Sequence, residues 1–368
     1  MIWEGAEITQ ETGSRQMRTH RIASIPADGI GPEIIEAGLE VLDALAGRDL
    51  GFGLKIDRYD WGSNYYRKHG VFMPPDGLAW LRTADAIYFG AVGDPDIPDH
   101  VLHRGLRLRI CQGFDQYAQI RPTRILPGIT SPLRDVGPGD LDWLIIGENS
   151  EGDDAGHGGR THRGLPEEVA TETTIFTRAG VERILRYAFD RARARPRKHL
   201  TVVTKSNAQR FGTIFWDEIA ILVSHDYKDV TWDQEPVDTM TLRMVLKPRG
   251  IDTVVAINVH ADILFDLAAA LAGSGGIAPS GNIDPRRKSP SMFEPIHGPA
   301  FNIANPVASF WTAAMMLEHL GEQPAADMLM CAVEQVCAAG LVTPDLGGKA
   351  TTTEVTAAVC AALLGLNA

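Results

Sequence analysis

Residues 20–47, HRIASIPADGIGPEIIEAGLEVLDALAG, decide the fold class. The first six, His20–Ile25, form an apolar run of strand length. PADGIGPE follows as a Gly/Pro-rich turn, and Pro32 suits the first turn of a helix, where its missing N–H would have no partner anyway. From Ile34 the apolar residues recur at spacings of three and four and stop at Gly47, the pattern of a helix and its end. The sequence of strand, glycine-rich turn and helix then returns. Ala84–Phe89 (ADAIYF) runs into GAVGDP, Trp143–Ile146 (WLII) into GENSEG, Leu200–Thr204 (LTVVT) into KSN and Thr253–Asn258 (TVVAIN) into VHAD. Between them, AGVERILRYAFDRARARP places Val181, Ile184, Leu185 and Ala188 on one helical face and its charges on the other. This alternation predicts an α/β fold with substantial parallel sheet and ligands gathered after the strands. The irregular stretches 91–105, 127–140 and 274–306 are expected to be functional or connecting loops.

The chain has 368 residues, more than one ordinary domain needs and comfortable for two. With 44% hydrophobic and 22% charged residues it is globular rather than disordered. A net charge of −12 argues against nucleic acid and anionic membrane as partners, though a local arginine cluster can still receive a small acid. None of the four cysteines pairs at CxxC spacing, so a disulfide framework or zinc site is not expected and a reducing cytoplasm fits best. No apolar run reaches the ~18 residues of a membrane helix. The opening MIWEGAEITQETGSRQ has no basic-then-apolar signal pattern; it is expected to be frayed, with Met17 an alternative start.

The strongest chemical signal is Asp262 and Asp266 in HADILFDLAAALAG. Their i, i+4 spacing puts both carboxylates on one helical face, where a hard divalent cation relieves their repulsion. The alternative is two solvated acids; the flanking Ile263, Leu264, Leu267 and alanines favour burial and hence metal. Asp238, in EPVDTM, offers a third carboxylate. Lys205 stands at a strand end in TVVTKSN and suits a base of lowered pKa, while Asn207 suits a ligand amide or ribose; alone, each reads equally as a surface or turn residue. Arg121 and Arg124 in QIRPTRI and Arg104, Arg107 and Arg109 in HRGLRLRI make a basic locality in an acidic chain, suited to an anionic ligand. FEPIHGPAFNIANP can lay backbone amides and an imidazole against a nucleotide. GxGxxG, GxxxxGK[ST] and GxSxG are all absent, which removes the ordinary Rossmann, P-loop and acyl-transfer readings.

Taken in order, IPADGIGPE, GAVGDP, IRPTR, GENSEG, TVVTKSN, VHADILFDLAAALAG, MFEPIHG and IANP resemble the β-decarboxylating dehydrogenases, the isopropylmalate and isocitrate dehydrogenase group. GHGGRTHRGLPEEVATETTIFTR and RPRKHLTVVTKSNAQRFG look most like its tartrate/D-malate branch. The resemblance runs from about His20 to the C-terminus. It implies an isopropylmalate dehydrogenase-like fold of two α/β domains, 1–116 with 273–368 on the cofactor side and 117–272 carrying the contact of a homodimer with shared active sites. It further implies Mg²⁺ or Mn²⁺ held by Asp262, Asp266 and the partner's Asp238, and a hydroxyl proton taken with the help of the partner's Lys205. Substrate would be gripped by Arg121, with Arg104 and Arg107 nearby. NAD would lie along Asn207, Glu294, His297, Gly298, Ala300 and Asn305. The implied reaction is oxidation, with or without decarboxylation, of a small 2-hydroxy dicarboxylic acid such as tartrate or D-malate.

The chain also departs from the family pattern. R-E-N-S-E-G-E-Y reads here from Gly147 to Asp154, so a substrate arginine is Gly147 and the catalytic tyrosine is Asp154. An ionised aspartate is a poor proton donor at neutral pH. The loop after EPIHG is shortened and leaves Asn302 where an acid would hold the adenine ribose. A clamp arginine aligns with Cys111, and Arg104 replaces an aromatic in the specificity helix, where it can restore the charge lost at 147. Two alternatives follow: a diverged enzyme with altered substrate or partial reaction, or a non-catalytic binding dimer. The first expects that tyrosine at 154 and arginine at 147 together raise turnover.

Overall fold

The computed structural model describes residues 17–48, 50–296 and 304–366. The N-terminal segment expected to fray, and His297, Gly298, Ala300 and Asn302, lie outside the described residues. The strands are β1 (Arg18–Ala27), β2 (Phe52–Arg58), β3 (Ala86–Ala91), β4 (Ala118–Arg124), β5 (Asp142–Glu148), β6 (Gly152–Thr161), β7 (Val169–Ile175), β8 (His199–Thr204), β9 (Thr231–Pro236), β10 (Thr253–Ala256), β11 (Pro279–Ile283) and β12 (Ser291–Pro295). Among the described residues ten of them build one sheet in the order β2-β1-β3-β12-β11-β4-β5-β10-β8-β9, and β6 and β7 form a separate ribbon.

The expected parallel pairing holds on both flanks. β1 runs parallel to β2 and β3, and β10 to β5 and β8. The middle is antiparallel, where β11 pairs with β12 and β4, and β4 with β5. The sheet therefore joins two runs. β2, β1, β3, β12 and β11 come from residues 18–91 and 279–295, and β4, β5, β10, β8 and β9 from residues 118–256.

The strand–turn–helix reading of residues 20–47 holds, with the helix at Gly31–Ala46 and Pro32 in its first turn. Gly31 is needed there, because a Cβ would stand 2.0 Å from the Pro26 carbonyl oxygen. The helix Arg178–Ala194 buries Val181, Ile184, Leu185 and Ala188, as its spacing predicts, and the Thr177 side chain caps it by accepting from the Gly180 N–H. Two of the expected loops carry regular structure instead. Residues 91–105 contain the short helix Asp99–Leu102 and the start of a π turn, His103–Arg107. Residues 274–306 contain β11 and β12, each five residues long and fully buried.

A cleft lined by two arginines and two aspartates

Four elements bring the charged side chains together. β4 supplies Arg121, β12 supplies Glu294, the π turn supplies His103 and Arg107, and the helix Asn258–Ala272 supplies Asp262 and Asp266. With the end of β3 they line a cleft of about 310 Å³. The helix buries Leu264, Phe265 and Ala268 against the sheet, so its acidic stripe faces outward. The expectation of buried carboxylates is corrected here. The Asp266 side chain is 80% exposed, Asp262 also reaches solvent, and the neighbouring Ile263 is exposed. Of the apolar neighbours, Leu264, Phe265, Ala268 and Ala269 serve the opposite, buried face, while Ile263 shares the exposed side. Protein nevertheless crowds the inner side of Asp262. That desolvation, with Asp154 and Asp266 nearby, raises its pKa against the lowering pull of Arg121 and Arg107.

Arg107 and Glu294 hold one another. Arg107 Nη2 donates to Glu294 Oε1 at 2.6 Å and Nε donates at 2.8 Å, with both side chains 9% exposed. Asn282 completes the network, donating to Glu294 at 2.8 Å and accepting from Arg107 at 3.1 Å and from Asn149 at 3.0 Å. Burial opposes both charges. The pairing overrides it, keeping Arg107 protonated and lowering the Glu294 pKa. The residues expected to grip substrate and cofactor are thus each other's partners. Cys111, one turn beyond Arg107, is buried and its thiol is pushed up to about 12, so it packs as a small apolar group.

Arg121 has no such carboxylate clasp. Its guanidinium stacks 4.1 Å from the Phe265 ring centroid, and its nearest acid contact is Asp266 at 3.7 Å. With its oxygen toward the arginines, the Gln119 amide accepts from Arg107 at 3.0 Å and from Arg121 at 3.1 Å. Arg121 Nε is buried without a partner. Desolvation lowers the Arg121 pKa to about 10, leaving it cationic at neutral pH. It is the cation of the cleft with capacity to spare for an acid.

The other expected residues are dispersed. Lys205 Nζ donates to Asp238 Oδ1 at 2.6 Å, and this lowers the Asp238 pKa; neither residue lines the cleft. Among the described residues no three His, Cys, Asp or Glu side chains gather at metal-binding range, so one chain presents two of the three implied carboxylates together. Asn207 is exposed. Asn305 donates to Asp345 at 3.0 Å and accepts from the Val307 N–H at 3.0 Å, which ties both ends of its amide to the helix start. Arg104 runs beside Gly156 of β6, where a Cβ would stand 2.3 Å from its Nη1, rather than beside Gly147. Asp154 accepts from Gln112 through its backbone oxygen at 3.0 Å, while its carboxylate adds to the rise in the Asp262 pKa and only partly offsets the lowering at His103.

Sequence reasoning passed over two groups. His103 lines the cleft 3.5 Å from Arg107; only its i, i+4 spacing to that arginine marked it. Burial and Arg107 lower its pKa, which favours the neutral imidazole. Glu148 is 1% exposed and accepts from the Ser150 N–H at 3.0 Å and the Glu151 N–H at 2.8 Å. Burial nonetheless raises its pKa from 4.5 to about 7. Because the native state holds this proton more tightly than the unfolded chain, stability is lost as pH rises through that window. Denaturation of the parent against Glu148→Gln should show a parent-specific decline, on the order of 3 kcal/mol, between pH 4.5 and 7. A pH-independent difference would disprove the assignment.

The chain is thus an α/β protein whose mixed sheet carries a cleft with Arg107, Arg121, Asp262, Asp266 and Glu294 on its walls. Residues 21–359 match the isocitrate/isopropylmalate dehydrogenase family. A probable tartrate dehydrogenase/decarboxylase of Agrobacterium vitis is 66% identical over 356 residues, spanning 95% of this chain and 99% of its own. The D-malate dehydrogenase (decarboxylating) of Escherichia coli K12 is 46% identical over 360 residues, with 95% and 99% covered. The crystal structure of an isocitrate dehydrogenase from Methylococcus capsulatus superposes with a TM-score of 0.84 at 32% identity, covering 94% of this chain and 99% of that one. The chain therefore belongs to the isocitrate/isopropylmalate dehydrogenase family.

Proposed function

We propose that this protein oxidises a small 2-hydroxy dicarboxylic acid of the tartrate or D-malate type, with decarboxylation, using NAD and Mg²⁺ or Mn²⁺. The observation that carries this reading is Arg121, cationic and free of a carboxylate clasp, 3.7 Å from Asp266 and beside Asp262. Hard oxygen donors one helical turn apart fit a divalent cation, and a guanidinium beside them fits the carboxylate of an acid bridging the two. The tartrate and D-malate names of the relatives support the substrate class.

In this mechanism Arg121 binds a substrate carboxylate, and Asp262 and Asp266 would hold the metal. When bound, the metal supplies Lewis acidity at the hydroxyl and NAD supplies the hydride acceptor. The Arg107–Glu294 pair forms a rigid wall that fixes Arg121 through Gln119. Lys205 and Asp238 act from a second copy. Asp238 opens the helix Val237–Leu246, whose Leu242, Val245 and Leu246 are exposed, as are Val259 and Ile263 on the aspartate helix. An apolar face of this kind suits a homodimer contact. Seated there, the partner's Asp238 completes the carboxylate set and the partner's Lys205 holds the hydroxyl proton. The junction of β11 and β4 is the proposed boundary between the two domains. Among the described residues no helix is long and apolar enough to cross a membrane, and all four cysteines are free, which fits a cytoplasmic setting.

A second reading, a diverged member with a partial reaction, is favoured by Asp154 in the tyrosine position. Calorimetric titration of NAD with Mn²⁺ present, followed by product analysis on tartrate and D-malate, separates the two. Micromolar binding with NADH and CO₂ released together supports the full reaction, and NADH without CO₂ supports the partial one. Absence of NAD binding at millimolar concentration refutes both and returns the non-catalytic dimer.

A further inference from the structure

The sheet carries a second cavity, of about 530 Å³, on the face opposite the cleft. Side chains alternate along a strand. On β4, Arg121 turns to the cleft while Ile120, Pro122 and Arg124 line the cavity, with Thr123 near the strand's end reaching it as well; on β12, Glu294 faces the cleft and Phe293 the cavity. The side walls are Tyr187 and Arg191 from the helix Arg178–Ala194 and Trp311 and Met315 from the helix Val307–Leu320. The cavity is therefore built from both runs of the sheet.

Its charge is unbalanced. Four arginines line it, against Asp142 and Glu318. Arg124 is paired with Glu334 at 2.6 Å, and Arg195 with Asp252 at 2.6 Å and Asp142 at 3.0 Å. Among the described residues Arg191 and Arg287 have no acid partner, and Arg191 Nε is buried with nothing to donate to. Glu318 is exposed at the edge and makes no ion pair among the described residues. His319 also lines the cavity, and burial and Arg287 lower its pKa to about 4, so it offers no charge at neutral pH. A buried guanidinium donor left without an acceptor is costly, and two free arginines facing one cavity in a chain of net charge −12 are a local inversion of the protein's field.

We propose that this cavity binds a small polyanion, a molecule with at least two carboxylate or phosphate groups, between Arg191 and Arg287. Such a ligand satisfies Arg191 Nε and bridges the two runs of the sheet behind the strands that carry Arg121 and Glu294. It thereby couples the reverse face to the geometry of the cleft.

The test is calorimetric titration of the metal-free, NAD-free protein with tricarballylate and, separately, inorganic pyrophosphate. Saturable binding of either probe is expected, weakened at least tenfold in Arg191→Gln/Arg287→Gln and unchanged in Arg121→Gln. The probe that binds tells carboxylate from phosphate chemistry. Arg287 is exposed on a turn, so Arg287→Gln alone gives the same readout should the double variant fail to fold. No saturable binding of either probe overturns the proposal. So does binding that survives loss of Arg191 and Arg287 but disappears in Arg121→Gln, since that anion sits in the cleft.

Discussion

Asp262→Asn should abolish most NAD-dependent turnover while leaving the fold intact. The change keeps the size of the side chain and removes one charge. Asp262 already has its pKa raised by desolvation and by Asp154 and Asp266, so the native state gains rather than loses by neutralisation there. Its helix is anchored by Leu264, Phe265 and Ala268, which the substitution does not touch. Thermal stability should therefore be equal or slightly higher. Activity should fall beyond the about 10–100-fold that even indirect partners of a metal contribute, because a direct oxygen donor is removed. Mn²⁺ affinity, read by titration, should fall with it. A loss under tenfold with unchanged Mn²⁺ affinity would remove Asp262 from the metal set.

Legibility of the fold followed how much of its pattern was local. Residues 20–47 carry strand, turn and helix in one contiguous apolar rhythm, and the helix Arg178–Ala194 carries its buried face in plain 3.6 spacing. β4 was harder. Pro122 interrupts it at the middle of the sheet, opposite Leu144, and a proline there argues against a strand until its neighbours are known. β11 and β12 escape the reading because each is only five residues long and buried throughout, so neither shows alternation; β11 (PSGNI) is in addition mostly Pro, Ser, Gly and Asn. The aspartate pair is legible from its spacing but its exposure is not, because Leu264 and the alanines that suggest burial lie on the far side of the helix and Ile263 is itself exposed. The Arg107–Glu294 pairing joins residues far apart in the chain, and no local rule connects them. Lys205 and Asp238 are legible as candidate chemistry from their local setting, but only the resemblance places them in a partner's site; in a single chain they pair with each other and do not line the cleft.

Gly147→Arg alone should destabilise the protein and fail to raise turnover. The missing arginine invites its restoration, but the structure adds a condition. Gly147 is buried on β5, and a Cβ there would stand 2.9 Å from the Ala261 Cβ and 3.4 Å from the Phe265 ring. The first of those contacts is rigid, since the Ala261 Cβ moves only with its helix. The second is the ring on which Arg121 stacks, so the space beyond Gly147 is filled and already adjoins a cation. Overpacking of this kind costs about 1–3 kcal/mol. A second buried guanidinium beside Arg121, without an acid of its own, adds a desolvation penalty of several kcal/mol more. Phe265→Ser removes the ring and opens that volume, at the expense of packing beneath Arg121. The pair Gly147→Arg/Phe265→Ser should therefore be more stable than the sum of the single changes by about 1–3 kcal/mol, the coupling of residues that share one space. Denaturant midpoints of the two single variants and the double variant measure this directly. If Gly147→Arg folds within about 1 kcal/mol of the parent, below the cost of overpacking, then Phe265 does not occupy the arginine's place. If the coupling is found, Phe265 and Gly147 are one exchange. Recovery of a family-like acid clamp, tested by turnover with and without tyrosine at 154, then requires both positions to change together.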